Sequence, residues 1–415
     1  MEFNKIFKEY VQKARPVKTT IQWYDLYEGH SVILNKDFQK QLLNQAIEKA
    51  GNISELSRRI QINRKVISNL LKCKFNPRIK SLRKIAIFLQ FPLKHVNTKI
   101  IEIAGLRPKL PFNLHSEEGA EIRAAFLSDG HIDKNPTASS QYCASEKELH
   151  SSLIKLCTKI FGKFKTKTYF SKTTYYTKFP CPIGMSLVLS GVPSGNKLLV
   201  NPYLPKDILL GRKSIITNYL RRVYDDEGDV CFDRYGKRAV RITRSVNVGI
   251  IKERILPERW TFLQTTNDTR NNLLIGEYLL LHKLGIDARL YSEGYYKNKK
   301  CQFTGKWRIQ IGQQDHVKKF AELINFTLST KREKLKEILN SYQYRKLPNG
   351  KGKEEAYCFI RKTTEKKGFI KYCDLAREMV KTGRSYDLAG RYLKYFLDTN
   401  MIKKIKRGTY VYDST

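Results

Sequence analysis

The chain has 415 residues, of which 41% are hydrophobic and 11% aromatic, so it is long enough for two to four domains and is not a disordered chain. Its 78 Lys and Arg residues against 39 Asp and Glu residues give a formal net charge of +39. A basic surface of this extent repels itself unless a polyanion neutralises it, so the charge favours a nucleic acid as the partner over a membrane surface.

No apolar run approaches the roughly 18 residues that a membrane-spanning helix needs, and the first residues lack the apolar core of a signal peptide. The eight cysteines form no CxxC pair and show no regular spacing, which argues against a zinc ribbon and against a disulfide framework. These observations predict a cytoplasmic chain with no membrane partner.

Residues 1–35 have no clear period, and no role is assigned to this N-terminal extension. In the segment 36–106, short helices are predicted over 53–59 and 64–71, joined by a turn over 60–63. This order resembles the helix-turn-helix of the phage-repressor (Cro/C1-like) family. The resemblance implies an apolar core of Ile53, Leu56, Ile60, Ile62, Val66, Ile67 and Leu70. It implies DNA contacts from Arg64, Lys65, Ser68, Asn69 and Lys72. The alternative is an ordinary helical bundle with a basic face.

The segment 121–132 contains the first motif: an apolar-periodic helix is predicted over 117–127, and it ends at Asp129-Gly130. A second amphipathic helix is predicted over 146–161. The residues 164–170 then alternate with period two, which predicts a strand with Lys165 and Lys167 on one face. Another strand is predicted over 183–189.

The segment 219–230 repeats the motif of 121–132, with Glu227-Gly228 in the place of Asp129-Gly130, and its helix is predicted over 212–226. Alternating strands are predicted over 238–248 and 306–312. Their apolar faces comprise Val240, Ile242, Val246 and Val248 in the first strand and Trp307, Ile309 and Ile311 in the second. Their polar faces comprise Arg241, Thr243, Ser245 and Asn247, and then Lys306, Arg308 and Gln310. Both segments have the order helix, strands, helix, strands, helix, so the chain uses one structural unit twice.

A carboxylate before a glycine at a helix end is usually only a helix stop. Here the pattern occurs twice, at corresponding points of a repeated unit, and strands with polar faces follow each copy. If the two helices pack side by side, Asp129 and Glu227 meet in a basic surface and share divalent cations, for which oxygen ligands select Mg²⁺ or Mn²⁺. Such ions favour phosphodiester hydrolysis as the reaction.

The residues Ile122-Arg-Ala-Ala-Phe-Leu-Ser-Asp-Gly130 and Leu220-Arg-Arg-Val-Tyr-Asp-Asp-Glu-Gly228 resemble the two LAGLIDADG motifs of a single-chain homing endonuclease. The resemblance implies an α+β fold with two pseudo-symmetric αββαββα halves, over 115–210 and 211–345, that form a DNA-binding saddle. The motif helices lie at the interface between the halves. The resemblance also implies that the acids at their ends hold the metals and that the monomer cuts both strands of a long, partly palindromic DNA site.

The family often has a basic residue near the metals, and Lys178 and Lys306 are the candidates from their predicted strand positions. The DNA contacts expected from the saddle are Lys165, Lys167, Arg241, Thr243, Arg308 and Gln310.

The chain departs from the family at the third motif position, which is usually a glycine because the helices approach closely there. Ala124 fits a close approach, whereas Arg222 fits only if it bends outward, toward Asp226 four residues on. Asp225 has no acidic equivalent in the first motif and is assigned no catalytic role.

A turn-rich linker is predicted over 348–352, and the segment 353–415 beyond it resembles a small winged-helix domain. Helices over 372–380 and 386–397 precede a basic hairpin around Arg407-Gly408. A terminal helical cap on the preceding domain is the alternative.

The favoured function is therefore a metal-dependent, site-specific double-strand DNA endonuclease. The first alternative is a DNA-binding transcription regulator built on an inactive LAGLIDADG core. The second is an RNA maturase that binds intron RNA, because the same saddle also fits RNA.

Overall fold

The computed structural model describes residues 2–135, 137, 139–232, 238–249, 271–297, 303–342, 351–382, 384 and 386–412. The fold mixes α-helices with antiparallel sheets. The chain divides into two compact units. The first comprises Met1–Glu227, Thr243–Gly285 and Leu290–Ile309, and the second comprises Gly228–Ile242, Ile286–Arg289 and Gln310–Thr415.

The helices are α1 (Glu2–Lys13), α2 (Lys36–Ala50), α3 (Ile53–Ile60), α4 (Arg64–Leu71), α5 (Ile79–Leu89), α6 (Glu117–Ser128), α7 (Lys147–Phe161), α8 (Cys181–Leu189), α9 (Lys197–Val200), α10 (Lys206–Leu209), α11 (Lys213–Glu227), α12 (Asn272–Lys283), α13 (Gln314–Leu323), α14 (Ser329–Asn340), α15 (Lys351–Lys367), α16 (Tyr372–Lys381) and α17 (Leu388–Asp398). Two 3₁₀ segments cover Trp23–Asp25 and Leu93–Lys99. No helix in the described ranges is both long and apolar enough to cross a bilayer.

The strands are β1 (Thr20–Ile21), β2 (Val32–Leu34), β3 (Ile100–Ile103), β4 (Leu106–Pro108), β5 (Phe112–Asn113), β6 (Gly130–His131), β7 (Ser140–Ala144), β8 (Gly162–Phe164), β9 (Thr168–Ser171), β10 (Thr174–Phe179), β11 (Gly228–Phe232), β12 (Arg238–Gly249), β13 (Arg289–Lys297), β14 (Phe303–Ile311), β15 (Ile370–Lys371), β16 (Ile402–Lys406) and β17 (Thr409–Tyr412). Their sheets have the orders β1-β5, β2-β3-β4-β8, β6-β7-β10-β9, β11-β12-β14-β13 and β15-β17-β16.

The N-terminal segment, to which the sequence assigned no role, packs into the first unit. Tyr10 on α1 is buried, and its hydroxyl accepts from the Leu204 backbone N–H and donates to the Asn272 carbonyl, each at 2.8 Å. Trp23 is fully buried, and its indole N–H donates to the Leu93 carbonyl at 2.9 Å. Residues far apart in the chain therefore hold this segment in place.

The helices predicted over 53–59 and 64–71 are confirmed as α3 and α4. Asn52 and Asn63 cap their N-termini, because each side chain accepts a hydrogen bond from a backbone N–H of the first turn. The left-handed residue Gln61, with φ +51°, ends α3 and begins the turn between the helices.

The predicted core of this helical segment is partly wrong. Leu56, Ile60, Ile67 and Leu70 are buried, but Val66 is 41% exposed. Ile67 and Leu70, three residues apart, supply the face of α4 that meets the neighbouring helices. The short helix has one narrow apolar face, and Val66 lies outside it.

The first repeat has the element order α6, β6, β7, α7, β8, β9, β10, α8, in which β8 pairs with β4 outside the repeat. The strand predicted over 183–189 is wrong, because Cys181–Leu189 forms the helix α8. Its run of apolar residues has no usable period, and Pro182 stands in its first turn, where a helix tolerates proline. The predicted strand over 164–170 is also interrupted: β8 ends at Phe164 and β9 begins at Thr168.

The second repeat has the order α11, β11, β12, α12, β13, β14, α13, which matches the first except that the described residues contain no counterpart of β8. Its sheet order β11-β12-β14-β13 also corresponds to β6-β7-β10-β9 of the first repeat. The predicted alternation of the strands is confirmed. The buried predicted residues are Val240, Ile242, Val246, Trp307, Ile309 and Ile311. The side chain of Val248 lies outside the described part of the structure.

The helices α6 and α11 pack side by side, in the most extensive helix pairing of the described chain. Their apolar and small residues, including Ala124, are almost entirely buried. Arg123 of α6 is fully buried and donates two 2.7 Å hydrogen bonds to the Asp207 carboxylate. This bidentate pair anchors the motif helix to α10.

The C-terminal region has its own apolar core, made by α15, β15, α16, α17 and the hairpin β16–β17. The predicted hairpin is confirmed, with Ile402 opposite Tyr412 and Lys403 opposite Val411. Of the predicted linker, residues 348–350 lie outside the described structure, whereas Lys351 and Gly352 belong to α15.

We expect Asp207→Ala to lower the free energy of unfolding by about 3–5 kcal/mol, because it leaves the Arg123 guanidinium buried without its charged partner. Thermal and urea unfolding would measure the loss. The double variant Arg123→Met with Asp207→Ala should recover most of it, since no buried charge then remains. A change below about 0.5 kcal/mol in the single variant would contradict the buried ion pair.

Candidate functional site

The two motif helices end in the same way. Asp129 is the C-terminal cap of α6, with its N–H bonded to the Ala125 carbonyl at 3.0 Å, and Glu227 is the last residue of α11. The next residues, Gly130 and Gly228, each begin the first strand of a sheet. A Cβ at Gly130 would lie 2.5 Å from the Phe126 Cα, so this tight helix-to-strand passage requires a glycine.

The Asp129 carboxyl lies in a strongly perturbed environment. Burial, with the negative charges of Asp226 and Glu227, raises its pKa from 3.8 to about 7. The positive charges of Lys197 and Arg244 oppose this rise in pKa. The ends of α6 and α11 therefore bring Asp129 and Glu227 within electrostatic reach of one another, together with two cations.

Arg244, on β12, connects the ends of both motif helices. Its guanidinium donates to Glu227 Oε1 at 3.2 Å and to Ser128 Oγ at 3.1 Å. It also makes hydrogen bonds of 2.8 and 2.9 Å to the fully buried carboxylate of Glu277 on α12. Tyr219 of α11 donates to the same carboxylate at 3.4 Å. The position of Glu227 thus depends on a buried chain of charged hydrogen bonds.

Sequence reasoning missed Arg244, although the sequence carries a signal for it. Arg244 stands between Ile242 and Val246 on the apolar face of its strand, where a charge is costly unless a partner is buried with it. Glu277 lies in a similarly apolar stretch of α12 and is that partner. The sequence signal for this ion pair was therefore one charged residue within each of two apolar stretches, Arg244 in β12 and Glu277 in α12.

Lys197, on α9, is the second cation that sequence reasoning missed. Its Nζ donates to the carbonyls of Phe126 and Leu127 at 3.2 and 3.1 Å, and also to the Ser128 carbonyl. These carbonyls lie in the last turn of α6, where they have no hydrogen-bond partner within the helix and carry partial negative charge. Burial lowers the pKa of Lys197 to about 8. The segment around it has no periodic pattern, so nothing in the sequence singled it out.

The sequence expectation for Arg222 is correct for its partner and wrong for its direction. Arg222 pairs with Asp226 at 3.1 Å, but both side chains are buried at the helix end and do not bend outward. Tyr142 of β7 donates to Asp226 at 2.7 Å, and its ring lies 4.9 Å from the Arg222 guanidinium. The ion pair with Asp226 and the Tyr142 ring offset the cost of burying this charge, although Nη2 of Arg222 has no hydrogen-bond partner among the described residues.

An open cleft of about 530 Å³ lies beside these groups. Its polar and charged lining includes Ser128, His131, Asn196, Lys197, Glu227, Thr243, Arg244, Ser245 and Asn271. Acidic and basic groups thus border one solvent-accessible space.

The proposed basic residues Lys178 and Lys306 are not among the charges that act on Asp129. Lys306 pairs with Glu293 at 3.1 Å, and Lys178 borders a different cleft. Glu293 also pairs with Arg308, at 2.6 Å, and Arg308 donates to the Thr243 hydroxyl at 3.3 Å.

The other predicted contact residues are solvent-accessible to different degrees. Exposed ones are Arg64, Lys65, Lys72, Lys165 and Lys167, and half-buried ones are Ser68, Asn69, Arg241, Thr243, Arg308 and Gln310. Arg241 forms an ion pair with Asp229. Lys165 and Lys167 lie between β8 and β9 rather than within one strand.

The described residues contain no group of three or more His, Cys, Asp or Glu side chains arranged to hold a metal ion. Asp129 and Glu227 nevertheless offer two carboxylates, the ligand type that Mg²⁺ and Mn²⁺ prefer. Mg²⁺ is commonly bound by one or two carboxylates, with waters and substrate phosphates as the other ligands. A cation beside Asp129 would also favour its ionised form, so the donor set fits such an ion.

No family model matches the chain, and no curated protein matches it. Among solved structures, variants of the homing endonuclease I-DmoI match 54% of this chain and all of theirs, with 14% identity and a TM-score of 0.33. I-DmoI in complex with DNA and Ca matches the same shares, with 13% identity and a TM-score of 0.34. Full-length DUF199/WhiA from Thermatoga maritima matches 70% of this chain and 93% of its own, with 11% identity and a TM-score of 0.32. These values are too low to identify the family of this chain.

The raised pKa of Asp129 predicts a stability cost. Its carboxyl ionises near pH 4 in the unfolded chain but only near pH 7 in the folded one, so folding becomes less favourable as pH rises through this window. Without divalent ions, at pH 8, Asp129→Asn should therefore raise the free energy of unfolding by about 1–3 kcal/mol.

The pH dependence of unfolding in EDTA checks this prediction. The gain from Asp129→Asn should disappear toward pH 4, where the wild-type carboxyl is protonated in both states. Glu148→Gln, at an exposed position of α7, is the control and should show no such dependence. A stability loss in Asp129→Asn at pH 8 would contradict the assignment.

Proposed function

We propose that the chain is a site-specific double-strand DNA endonuclease of the single-chain LAGLIDADG type that depends on Mg²⁺ or Mn²⁺. The observation that carries the proposal is that Asp129 and Glu227 end two packed helices, where Arg244 joins Glu227 to Ser128, the neighbour of Asp129. The recurrence of one element order after each helix supports it. In this proposal the two repeats are pseudo-symmetric halves over 115–210 and 211–345.

Asp129 and Glu227 are proposed to hold the divalent ions against the scissile phosphates. When bound, such an ion lowers the pKa of a coordinated water and stabilises the leaving oxygen of the phosphodiester. The hydrogen bonds from Arg244 to Glu227 and Ser128 orient the Glu227 carboxylate, and the buried Glu277 holds Arg244 in place.

Lys197 is proposed as the basic residue of the site, in preference to Lys178 and Lys306. Its charge acts directly on Asp129, and the residue borders the cleft. Its three N–H donors are held by the carbonyls of Phe126, Leu127 and Ser128, so we propose that its charge, rather than a hydrogen bond, attracts a phosphate toward the two acids.

Duplex DNA is the proposed partner of a monomer, and the net charge of +39 supports a polyanion. We propose contacts from the helix-turn-helix segment 36–106 through Arg64, Lys65, Ser68, Asn69 and Lys72. The saddle contributes Lys165, Lys167, Arg241, Thr243, Arg308 and Gln310. The winged-helix-like segment 353–415 adds further phosphate contacts, so the recognised site is long.

A DNA-binding regulator with an inactive nuclease core is the second candidate. The ion pair between Arg244 and Glu227 favours it, because a resident cation already neutralises one of the two acids. A regulator needs only the binding surface, so this pair would then be purely structural.

Cleavage of a library of random DNA duplexes in Mg²⁺, followed by sequencing of the new ends, tests the proposal. We expect Asp129→Asn and Glu227→Gln each to lower the cleavage rate at least about 100-fold, because each removes an oxygen ligand of the metal site. The exposed Glu148→Gln is the matched control and should cleave like the wild type.

Equal cleavage by wild type and both acid variants would disprove the roles of Asp129 and Glu227. Sequence-specific binding that survives EDTA, without any nicking by the wild type, would establish the regulator instead.

A further inference from the structure

A second open cleft, of about 650 Å³, lies within the first unit, away from the two acids. We call it the junction cleft. It is bordered by β3, β4 and β8 of one sheet and by β10 of another. The sheet β2-β3-β4-β8 includes strands on both sides of the helix-turn-helix segment and one strand of the first repeat. The cleft therefore lies where these two parts of the unit join.

The charged residues that border the junction cleft are mostly cations. They are Arg107, Lys163, Lys165 and Lys178, against the single acid Glu102 among its lining residues. The four cations are exposed. None of them forms an ion pair with another residue of the described chain. The cleft thus holds an excess of positive charge that the protein itself leaves without counter-ions.

Two of these cations face one another directly across neighbouring strands. Arg107 of β4 is opposite Lys163 of β8 in the antiparallel register. Like charges at directly opposite positions destabilise a sheet, whereas opposite charges at such positions stabilise it. Stability alone therefore gives no reason for this pair.

The backbone fixes this pair in place. Gly162, directly before Lys163, has φ +105°, and a Cβ there would lie 2.1 Å from the Arg107 carbonyl oxygen. Only a glycine permits the two strands to approach this closely at that point. The side chains of Arg107 and Lys163 therefore extend from a closely packed part of the sheet.

We propose that the junction cleft binds the phosphodiester backbone of duplex DNA, beside the helix-turn-helix segment. This inference rests on the proposed binding of DNA by the chain. Phosphates supply the missing negative charge and offset the repulsion between Arg107 and Lys163. Because such contacts position a protein on DNA without reading its sequence, the cleft sets the register between the helix-turn-helix and the first repeat.

The test compares two variants that remove the same charge. Arg107→Gln with Lys163→Gln neutralises the cross-strand pair. Lys147→Gln with Lys155→Gln neutralises two exposed lysines of α7 and is the control. Binding of the full chain to a fluorescent 40-bp duplex of mixed sequence is measured in Ca²⁺ between 50 and 200 mM salt.

We call Arg107→Gln with Lys163→Gln the cleft variant. We expect its plot of log K against log salt to be less steep than that of the wild type by about 1.8, because each of the two lost phosphate contacts contributes about 0.9 to the slope. Over this salt range the wild-type ratio of dissociation constants should exceed that of the cleft variant by about 12-fold. The control should keep the wild-type slope. The melting temperature of the cleft variant should stay equal or rise, because a repulsive pair has been removed.

Equal slope changes in the two variants would overturn the inference and leave the proposed DNA binding intact. A fall in melting temperature without a change in slope would assign Arg107 and Lys163 a structural role and would also overturn it. Absence of duplex binding by the wild type would overturn both proposals. A slope change seen only with a 40-nucleotide RNA hairpin would overturn the assignment to DNA.

Discussion

The packing of α6 against α11 is the constraint on which the site depends. Each helix ends in an acid followed by a glycine that begins a strand, so placing the helices side by side also places their acids and sheets. Small residues such as Ala124 permit this approach. Arg222 does not prevent it, because Asp226 and Tyr142 hold its charge at the helix end. The interface therefore gains its shape from apolar packing and tolerates a charge only where a partner is buried with it.

Around the helix pair, buried ion pairs distinguish the acids with a structural role from the acids that remain available to a ligand. Asp226, Glu277 and Asp207 each accept hydrogen bonds from a buried arginine, and removing one would deprive that arginine of a charged partner. Asp129 differs, because its carboxyl forms no ion pair within the described chain. Glu227 is intermediate, since it contacts Arg244 but still borders the open cleft. These differences support the proposal that Asp129 and Glu227 are the acids that bind the metal.

Local patterns predicted much of the secondary structure correctly. The helices α3 and α4 were evident from their periodicity and from the turn between them, and the alternation in β12 and β14 identified their buried faces. The errors concern short segments whose secondary structure or burial depends on their tertiary environment. The apolar run at Cys181–Leu189 has no usable period, so periodicity did not distinguish a helix, which buries Ile183 and Leu187, from a strand. Val66 is exposed because the apolar face of α4 is narrower than its composition indicates.

The sequence by itself determined the recurrence of one element order and the two acid–glycine helix ends, because periodicity and turn chemistry are local properties. Only the tertiary structure decided which charges accompany Asp129 and Glu227. Arg244, Glu277 and Lys197 are distant in the chain from at least one of the acids, and burial brings them together. The strength and even the sign of a charge's effect on the site depend on distance and on exclusion of water. Neither quantity is encoded in the order of residues along a single segment.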